Sequence, residues 1–204
     1  MQYFHIIEQI NMLGLKLPTD PRWVNIVEKN IEEILTDHAY CEQKATTNAI
    51  NLIVHFPECT DLVDAMLALA KEELEHFEQV HEKIKERGFT LGRERRDEYV
   101  FELNNFIRKG YQRHFVLVDK LLFSALVEAR SCERFKVLSE NIKDDSLKDF
   151  YRELMISEAN HYTMFLRLAK QYANGIDVDA RWQEFLDYES EIIRKYGNKE
   201  TIHG

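Results

Sequence analysis

Residues that interrupt helices or crosslink a chain are scarce in this sequence, which has 7 glycines, 3 prolines and 3 cysteines among its 204 residues. Helices tolerate glycine and proline poorly, so their scarcity beside abundant Glu, Lys, Leu and Ala favours helices over sheets. Strand-like alternation of polar and apolar residues is sustained nowhere in the chain. The sequence therefore predicts an all-α fold.

The cysteines exclude one kind of metal site and argue against disulfide bonds. Cys41, Cys59 and Cys132 form no Cys-x-x-Cys pair, so the sequence has no rubredoxin-type iron site. Their odd number argues against a disulfide framework and favours a reducing compartment.

No apolar run approaches the roughly 18 residues of a membrane span, and the N-terminus lacks a signal-peptide pattern. We therefore expect a cytoplasmic protein with no membrane partner.

Positive charge is in deficit as well, since the formal net charge is −9 at pH 7. A strong general attraction to nucleic acid or to an anionic membrane is not expected from such a chain. A local basic patch can still bind a polyanion, so the net charge alone does not exclude nucleic acid as a partner.

Helix start and stop signals define a first pair of long helices. The Asp20-Pro21 dipeptide predicts a start, and this helix is expected to run to about Val54. Thr60 or Asp61 is expected to cap a second helix, which stops near Gly88. The loop between the two helices is short and therefore predicts an antiparallel pair.

A second pair of long helices is predicted over roughly 113–141 and about 145–173. Between the pairs lie residues 88–110, an irregular stretch with a weakly helical part. A single long crossover is typical of ferritin-like four-helix bundles. We predict one ferritin-like domain over residues 1–204, with a bundle core over about 21–173, a C-terminal amphipathic helix over about 178–196 and a helical segment over about 1–16.

Each predicted pair carries the same polar motif. Glu73 and His76 form a Glu-x-x-His sequence on the second helix, and Glu158 and His161 repeat it on the fourth. Each motif is preceded at a nearly equal distance by another glutamate, and these are Glu42 and Glu128. The chain thus consists of two similar halves.

All six of these residues fall on apolar helical stripes. Heptad stepping, for example, places Glu158 and His161 between Leu154 and Phe165. Buried carboxylates need compensating positive charge, and two metal ions would supply it. Four glutamates and two histidines match di-iron and di-manganese carboxylate bundles better than a zinc site. The predicted metal ligands are Glu42, Glu73, His76, Glu128, Glu158 and His161.

Other interpretations of these residues stay open. A single Glu-x-x-His is commonly a solvated pair on a helix, and a metal-free scaffold would leave six polar groups uncompensated on apolar stripes. His38 lies one turn before Glu42 on the same stripe. It could be a metal ligand, a group bonded to a ligand, or a core histidine, and we favour the two interpretations in which it binds no metal.

Four stretches around these residues resemble the tRNA hydroxylases of the MiaE type, and the resemblance covers most of the chain. The stretches are Asp37-His38-Ala39-Tyr40-Cys41-Glu42, Glu72-Glu73-Leu74-Glu75-His76-Phe77, Val127-Glu128-Ala129-Arg130-Ser131-Cys132-Glu133-Arg134-Phe135 and Ser157-Glu158-Ala159-Asn160-His161-Tyr162. The run Glu-Ala-Arg-Ser-Cys-Glu-Arg-Phe is the most family-like, whereas Glu-x-x-His occurs throughout ferritin-like proteins. By motif, the family's metal ligands fall on the same six residues.

The resemblance implies an O₂-dependent, non-haem di-iron monooxygenase. Its substrate would be the isopentenyl group of 2-methylthio-N6-isopentenyladenosine in tRNA, next to the anticodon, with O₂ as co-substrate. Two iron ions are the expected cofactors, with manganese not excluded, and an external reductase or ferredoxin-like electron donor is an expected partner. A ferritin-like ferroxidase or a peroxide-reducing di-iron protein is the alternative function.

An acidic protein that binds tRNA needs a local concentration of cations, and the crossover offers one. Guanidinium groups suit phosphate oxygens better than ammonium groups do. The predicted tRNA contacts are Arg93, Arg95, Arg96, Lys109 and Arg113. A solvated, partly neutralised loop is the competing interpretation, because Glu94, Asp97 and Glu98 are interspersed.

Overall fold

The computed structural model describes residues 13–197, 199 and 201–203. Their regular structure consists of seven α-helices and one 3-10 turn at Pro21–Trp23, with no strand among these residues. The predicted all-α fold is confirmed for this part of the chain, while most of the helical segment expected over residues 1–16 lies outside the described residues. The helices are α1 Val24–Lys29, α2 Ile31–His55, α3 Thr60–Glu86, α4 Glu98–Asn104, α5 Arg113–Asn141, α6 Asp145–Gln171 and α7 Val178–Tyr196.

The chain divides into two compact units. Among the described residues, the larger unit comprises 13–28, 97–197, 199 and 203, and the smaller unit comprises 29–96, 201 and 202. The larger unit therefore holds α1 and α4 to α7, and the smaller unit holds α2 and α3. That residues 1–204 form a single domain stays a prediction.

In the smaller unit, α2 and α3 pack against each other as the expected antiparallel pair. The short turn between them is closed by a hydrogen bond from the Cys59 amide to the Phe56 carbonyl at 3.1 Å. The chain leaves α3 through Gly88, as predicted, with a φ of +72° that favours glycine. This conformation lets the Phe89 amide donate to the Ile84 carbonyl at 3.1 Å, which closes the helix end.

The predicted start at Asp20-Pro21 is confirmed, because Asp20 is the N-cap of the 3-10 turn and accepts from the Arg22 amide at 2.9 Å. Two other details of the predicted helices are wrong. The helix expected from residue 21 to about 54 is interrupted at Asn30, where φ is −136° and ψ is 40°. Asparagine competes with helices for backbone hydrogen bonds, and Asn30 occupies the N-cap of α2, where its carbonyl accepts from the Ile34 amide at 2.9 Å. At α3, Thr60 is already the first helical residue, so Cys59 rather than Thr60 or Asp61 occupies the N-cap.

The larger unit contains the second long pair, α5 and α6, with α7 packed against α4 and α5. Aspartate side chains cap α4, α6 and α7: Asp97, Asp144 and Asp177 accept from first-turn amides at 2.9, 3.1 and 2.9 Å. The bounds of α5 and α7 agree with the predicted ranges 113–141 and 178–196. None of the described helices combines the length and hydropathy that a membrane span requires.

Charged residues of the family-like run hold distant segments of the larger unit together. Arg130 is fully buried and donates to Glu189 of α7 at 2.6 Å, to Glu133 at 3.0 Å and to the Leu17 carbonyl at 3.0 Å. Glu133 accepts from the amide and the hydroxyl of Thr19 at 2.8 and 2.6 Å. Two carboxylates and a carbonyl thus compensate the buried guanidinium. These contacts fix α7 and the segment before α1 onto α5.

Arg134, one turn after Arg130, anchors the chain that follows α7. Its guanidinium lies 4.1 Å from the ring centre of Trp23 and donates to the Gly197 carbonyl at 2.8 Å. The Trp23 indole N–H donates to the Lys199 carbonyl at 2.9 Å. Burial, and then the charge of Arg130, lower the pKa of Arg134 to about 10, so this side chain remains charged at neutral pH.

Candidate metal centre

Three buried polar side chains meet in the smaller unit. Glu42 of α2, and Glu73 and His76 of α3, are 4%, 1% and 5% exposed because they lie on the apolar stripes of their helices. Nδ1 of His76 lies 3.4 Å from Oε2 of Glu73 and 3.7 Å from Oε2 of Glu42. The smaller unit therefore directs two carboxylates and one imidazole toward a common point.

A fourth buried side chain, His38, contacts this group. It lies one turn before Glu42 on α2 and is 0% exposed. Its Nε2 lies 2.7 Å from Oε1 of Glu42, which is hydrogen-bonding distance. The structure thus places His38 against a predicted metal ligand.

The charges in this group depend on one another. Burial raises the pKa of Glu42, but the hydrogen bond from His38 and the nearby His76 imidazole outweigh burial and hold that pKa well below its usual range. Burial lowers the pKa of His76, yet the carboxylates of Glu42 and Glu73 raise it to about 10. A metal ion that binds here would displace the proton of His76, because metal ligands must be deprotonated.

The larger unit repeats the arrangement. Glu128 of α5, and Glu158 and His161 of α6, are 6%, 3% and 4% exposed. Nδ1 of His161 lies 3.8 Å from Oε1 of Glu158 and 3.9 Å from Oε2 of Glu128. In both units, the imidazole of the Glu-x-x-His motif therefore lies close to a glutamate of the preceding long helix.

Each of the two groups suits metal binding. Two ligand atoms that each lie about 2.1 Å from one ion are at most roughly 4 Å apart, and the nitrogen–oxygen distances within each unit respect this limit. Carboxylate oxygens and imidazole nitrogens are ligands that divalent iron and manganese accept. The structure buries all six residues selected from the sequence and brings three together in each unit; their role as ligands stays a prediction.

Cys132 lies one turn after Glu128, but its side chain has a different partner. It is fully buried, and its thiol donates to the Met155 carbonyl at 3.3 Å. Burial raises the pKa of the Cys132 thiol to about 12. The side chain is therefore a protonated thiol at neutral pH.

The five basic residues predicted to contact tRNA belong to different units. Arg93, Arg95 and Arg96 lie in the smaller unit, whereas Lys109 and Arg113 lie in the larger unit at the start of α5. Four of the five are exposed, and Arg95 is half-buried. Its guanidinium lies 3.3 Å from the Glu33 carboxylate and donates to the Glu33 carbonyl at 3.4 Å. Arg95 is thus partly neutralised, as the competing interpretation holds.

Sequence reasoning missed Tyr111, which is 60% exposed between Lys109 and Arg113. The guanidinium of Arg108 lies 5.9 Å from the Tyr111 ring centre, and buried Asp119 holds it by accepting from Nε at 2.9 Å. An exposed aromatic ring among cations can stack an unpaired base while the cations bind phosphates. The position of Tyr111 between the basic pair Arg108-Lys109 and Arg113 was the available signal.

Comparisons with known proteins show which family the chain resembles. The family model described as tRNA-(MS[2]IO[6]A)-hydroxylase (MiaE) matches residues 5–204. A tRNA 2-(methylsulfanyl)-N(6)-isopentenyladenosine(37) hydroxylase from Pseudomonas putida is 38% identical over 190 residues, covering 93% of this chain and 91% of that protein. A protein of the same name from Salmonella typhimurium is 29% identical over 242 residues, covering 95% of this chain and 88% of that protein.

A solved structure is similar over nearly the whole chain. It is the protein from Synechococcus titled "Protein 43 with aldehyde deformylating oxygenase activity", with a TM-score of 0.86 and 33% identity over 93% of this chain and 95% of that chain. This similarity confirms the predicted ferritin-like fold class. Because one family model and two relatives match it over nearly its entire length, the chain belongs to the MiaE family of tRNA hydroxylases.

Proposed function

We propose that the protein is an O₂-dependent, non-haem di-iron monooxygenase that hydroxylates the isopentenyl group of 2-methylthio-N6-isopentenyladenosine in tRNA, next to the anticodon. The observation that carries the proposal is a buried set of two glutamates and one histidine in each unit of a chain from a tRNA hydroxylase family. Two relatives are named for this hydroxylation.

The proposed cofactors are two iron ions, and manganese suits the same ligands. The proposed ligands are Glu42, Glu73, His76, Glu128, Glu158 and His161. Each unit would supply one imidazole and two carboxylates, and together they match the residue types of di-iron carboxylate bundles. When bound, the ions would supply the activation of O₂.

The apolar residues around the two motifs exclude water from the proposed metal ligands. Leu69 and Val80 flank the motif of α3, and Leu154 and Phe165 flank the motif of α6; all four are buried. A dry environment strengthens the charge interactions of the ligands and protects an oxidising reaction from water. These side chains therefore favour a reaction at the carbon of a bound substrate over release of oxidant to solvent.

We further propose that tRNA contacts two surfaces. The first, the α5 start, consists of Lys109, Tyr111 and Arg113, and the second, the crossover arginines, consists of Arg93, Arg95 and Arg96. The α5 start has the stronger support, because the first turn of α5 contains no acidic residue and Tyr111 can stack on a base. Arg95 is already engaged by Glu33.

The proposed reaction requires an electron donor. One oxygen atom of O₂ enters a C–H bond as hydroxyl and the other becomes water, which consumes two electrons and two protons. We propose that an external reductase or a ferredoxin-like protein supplies the electrons. Because tRNA is the proposed substrate, we also propose a cytoplasmic location.

Nucleoside analysis of total tRNA from cells with and without this gene tests the function. We expect the hydroxylated isopentenyl nucleoside to disappear on deletion and to return with the wild-type gene, but not with His161→Ala. Glu153→Ala, an exposed change on the same helix α6, should restore the nucleoside fully. Unchanged nucleosides after deletion would instead favour the ferroxidase or peroxide-reducing alternative.

A further inference from the structure

We propose that His38 is a positioning residue that binds one carboxylate oxygen of Glu42 and leaves the other for a metal ion. The inference rests on the proposed metal centre and adds to it a residue that is not itself a ligand. Nε2 of His38 lies 2.7 Å from Oε1 of Glu42, whereas Oε2 of Glu42 is the oxygen that faces Nδ1 of His76, at 3.7 Å. The two oxygens of one carboxylate thus have different neighbours.

The direction of the hydrogen bond follows from the chemistry of the pair. An ionised carboxylate can only accept, so Nε2 of His38 carries the hydrogen and donates it to Oε1 of Glu42. Both side chains are buried, His38 completely, so water does not compete strongly for this contact. The bond therefore fixes the rotation of the Glu42 carboxylate.

A fixed carboxylate limits how Glu42 can bind metal. The hydrogen bond from His38 occupies one lone pair of Oε1 and turns Oε2 toward His76. We therefore expect Glu42 to bind an ion chiefly through Oε2. Partners that orient ligands in this way typically contribute about 10–100-fold to metal affinity.

A serine rather than a histidine stands at the equivalent position of the larger unit. Ser124 lies four residues before Glu128, as His38 does before Glu42, and its hydroxyl donates to the Lys120 carbonyl of its own helix at 3.0 Å. The two units therefore place different side chains one turn before their first glutamate. We expect loss of His38 to affect one of the two bound ions more than the other.

Cobalt(II) binding to the metal-free full-length protein tests this inference without relying on hydroxylation. Calorimetric titration gives the affinities, and the visible absorption of bound Co²⁺ reports the coordination of each ion. For His38→Leu we expect one of two ions to bind about 10–100-fold more weakly, with an altered absorption band. His38→Gln, whose amide can donate to the same oxygen, should stay within about threefold of wild type and keep the wild-type band.

Measurements on a second variant and on the wild type separate failure of the proposed His38 role from failure of the proposed metal centre. His38→Asn is polar but too short to reach Oε1 of Glu42, so it should behave like His38→Leu, and circular dichroism checks that each variant folds. Wild-type affinity and an unchanged Co²⁺ spectrum in folded His38→Leu or His38→Asn would overturn the role of His38 alone. Failure of the wild type to bind two ions would overturn the metal centre itself.

Discussion

Nδ1 of His76 lies 3.4 Å from Oε2 of Glu73, one helical turn earlier on the same buried stripe of α3. In α6, His161 and Glu158 stand in the same relationship at 3.8 Å. Burying ionisable groups in an apolar stripe is costly unless something compensates their charge. That the chain does so twice, with the same spacing, is the physical basis for expecting two metal ions.

Removing a proposed ligand should remove metal. Replacing His161 by Ala, or Glu128 by Ala, is expected to lower the content from two irons per chain and to abolish turnover, because each change deletes a donor atom that no neighbouring side chain replaces. Iron is measured by plasma emission spectrometry after anaerobic loading. Glu153→Ala, exposed on α6, is the matched control and should retain both ions. A folded His161→Ala protein with two irons would contradict the assignment.

Charge reversal at the α5 start should weaken tRNA binding. The double change Lys109→Glu and Arg113→Glu is expected to reduce affinity for an anticodon stem-loop RNA about tenfold or more and to flatten its salt dependence, because phosphate contacts are lost. Tyr111→Ala should weaken binding without changing the salt slope, since stacking releases no counterions. Fluorescence anisotropy at several salt concentrations measures both effects.

The matched control for this experiment is the double change Lys71→Glu and Arg167→Glu, which alters net charge equally at exposed positions of α3 and α6. A further variant changes the three crossover arginines together to Glu. It should lose less affinity for the RNA than the variant changed at the α5 start. An equal loss in the control would show that only net charge matters, and a larger loss in the crossover arginines would reverse the proposed ranking.

The pH dependence of stability should show the contribution of Asp119. Burial raises the pKa of this carboxyl, but hydrogen bonds from Arg108 and Arg181 outweigh burial and lower it. A folded-state pKa below the unfolded value of about 3.9 stabilises the fold above that pH, and this stabilisation is lost as the pH falls through the folded pKa. Asp119→Asn should therefore lose about 1.5–3 kcal/mol of unfolding free energy at pH 7.

Urea unfolding from pH 7 downward checks the Asp119 prediction. The wild-type and Asp119→Asn curves should converge as the pH falls below about 4, because the wild-type carboxyl then takes up a proton. Parallel curves over that range would show that Asp119 does not supply the pH dependence.

Local periodicity was sufficient to predict that the residues of the two Glu-x-x-His motifs are buried. Heptad stepping placed Glu73, His76, Glu158 and His161 on apolar stripes, and the structure buries all four. Spacing of three residues fixes a shared helix face whatever the surroundings, so such relationships can be read from sequence. Long helices with strong periodicity, such as α5 over 113–141, were predictable for the same reason.

Features that depend on distant partners were not predictable. The break at Asn30 is a choice between helix and cap that neighbouring packing decides, since asparagine is tolerated in both. Arg130 donates a hydrogen bond to Glu189, 59 positions away, and Glu133 accepts one from Thr19, 114 positions away. Nothing in the local pattern separates charged residues with such buried partners from solvated charges on a helix. The neutralisation of Arg95 by Glu33 could not be predicted from the sequence for the same reason.

The buried Arg130–Glu189 pair should be essential to the larger unit. Glu189→Gln is expected to cost about 3–5 kcal/mol of unfolding free energy, because it leaves a buried guanidinium with less compensation. Replacing both partners, as Arg130→Met with Glu189→Leu, should recover part of that loss. Guanidinium chloride unfolding of the two variants gives the comparison. A cost below about 1 kcal/mol for Glu189→Gln would show that the pair is not a stabilising contact.

The most direct test of the proposed function is isotopic. Iron-loaded protein, a chemical reductant and tRNA that contains 2-methylthio-N6-isopentenyladenosine are incubated under ¹⁸O₂, and the digested nucleosides are analysed by mass spectrometry. We expect the isopentenyl nucleoside to gain a single ¹⁸O atom, and His161→Ala protein to add none. An unchanged nucleoside, or a hydroxyl oxygen that comes from water instead of O₂, would contradict the proposed function.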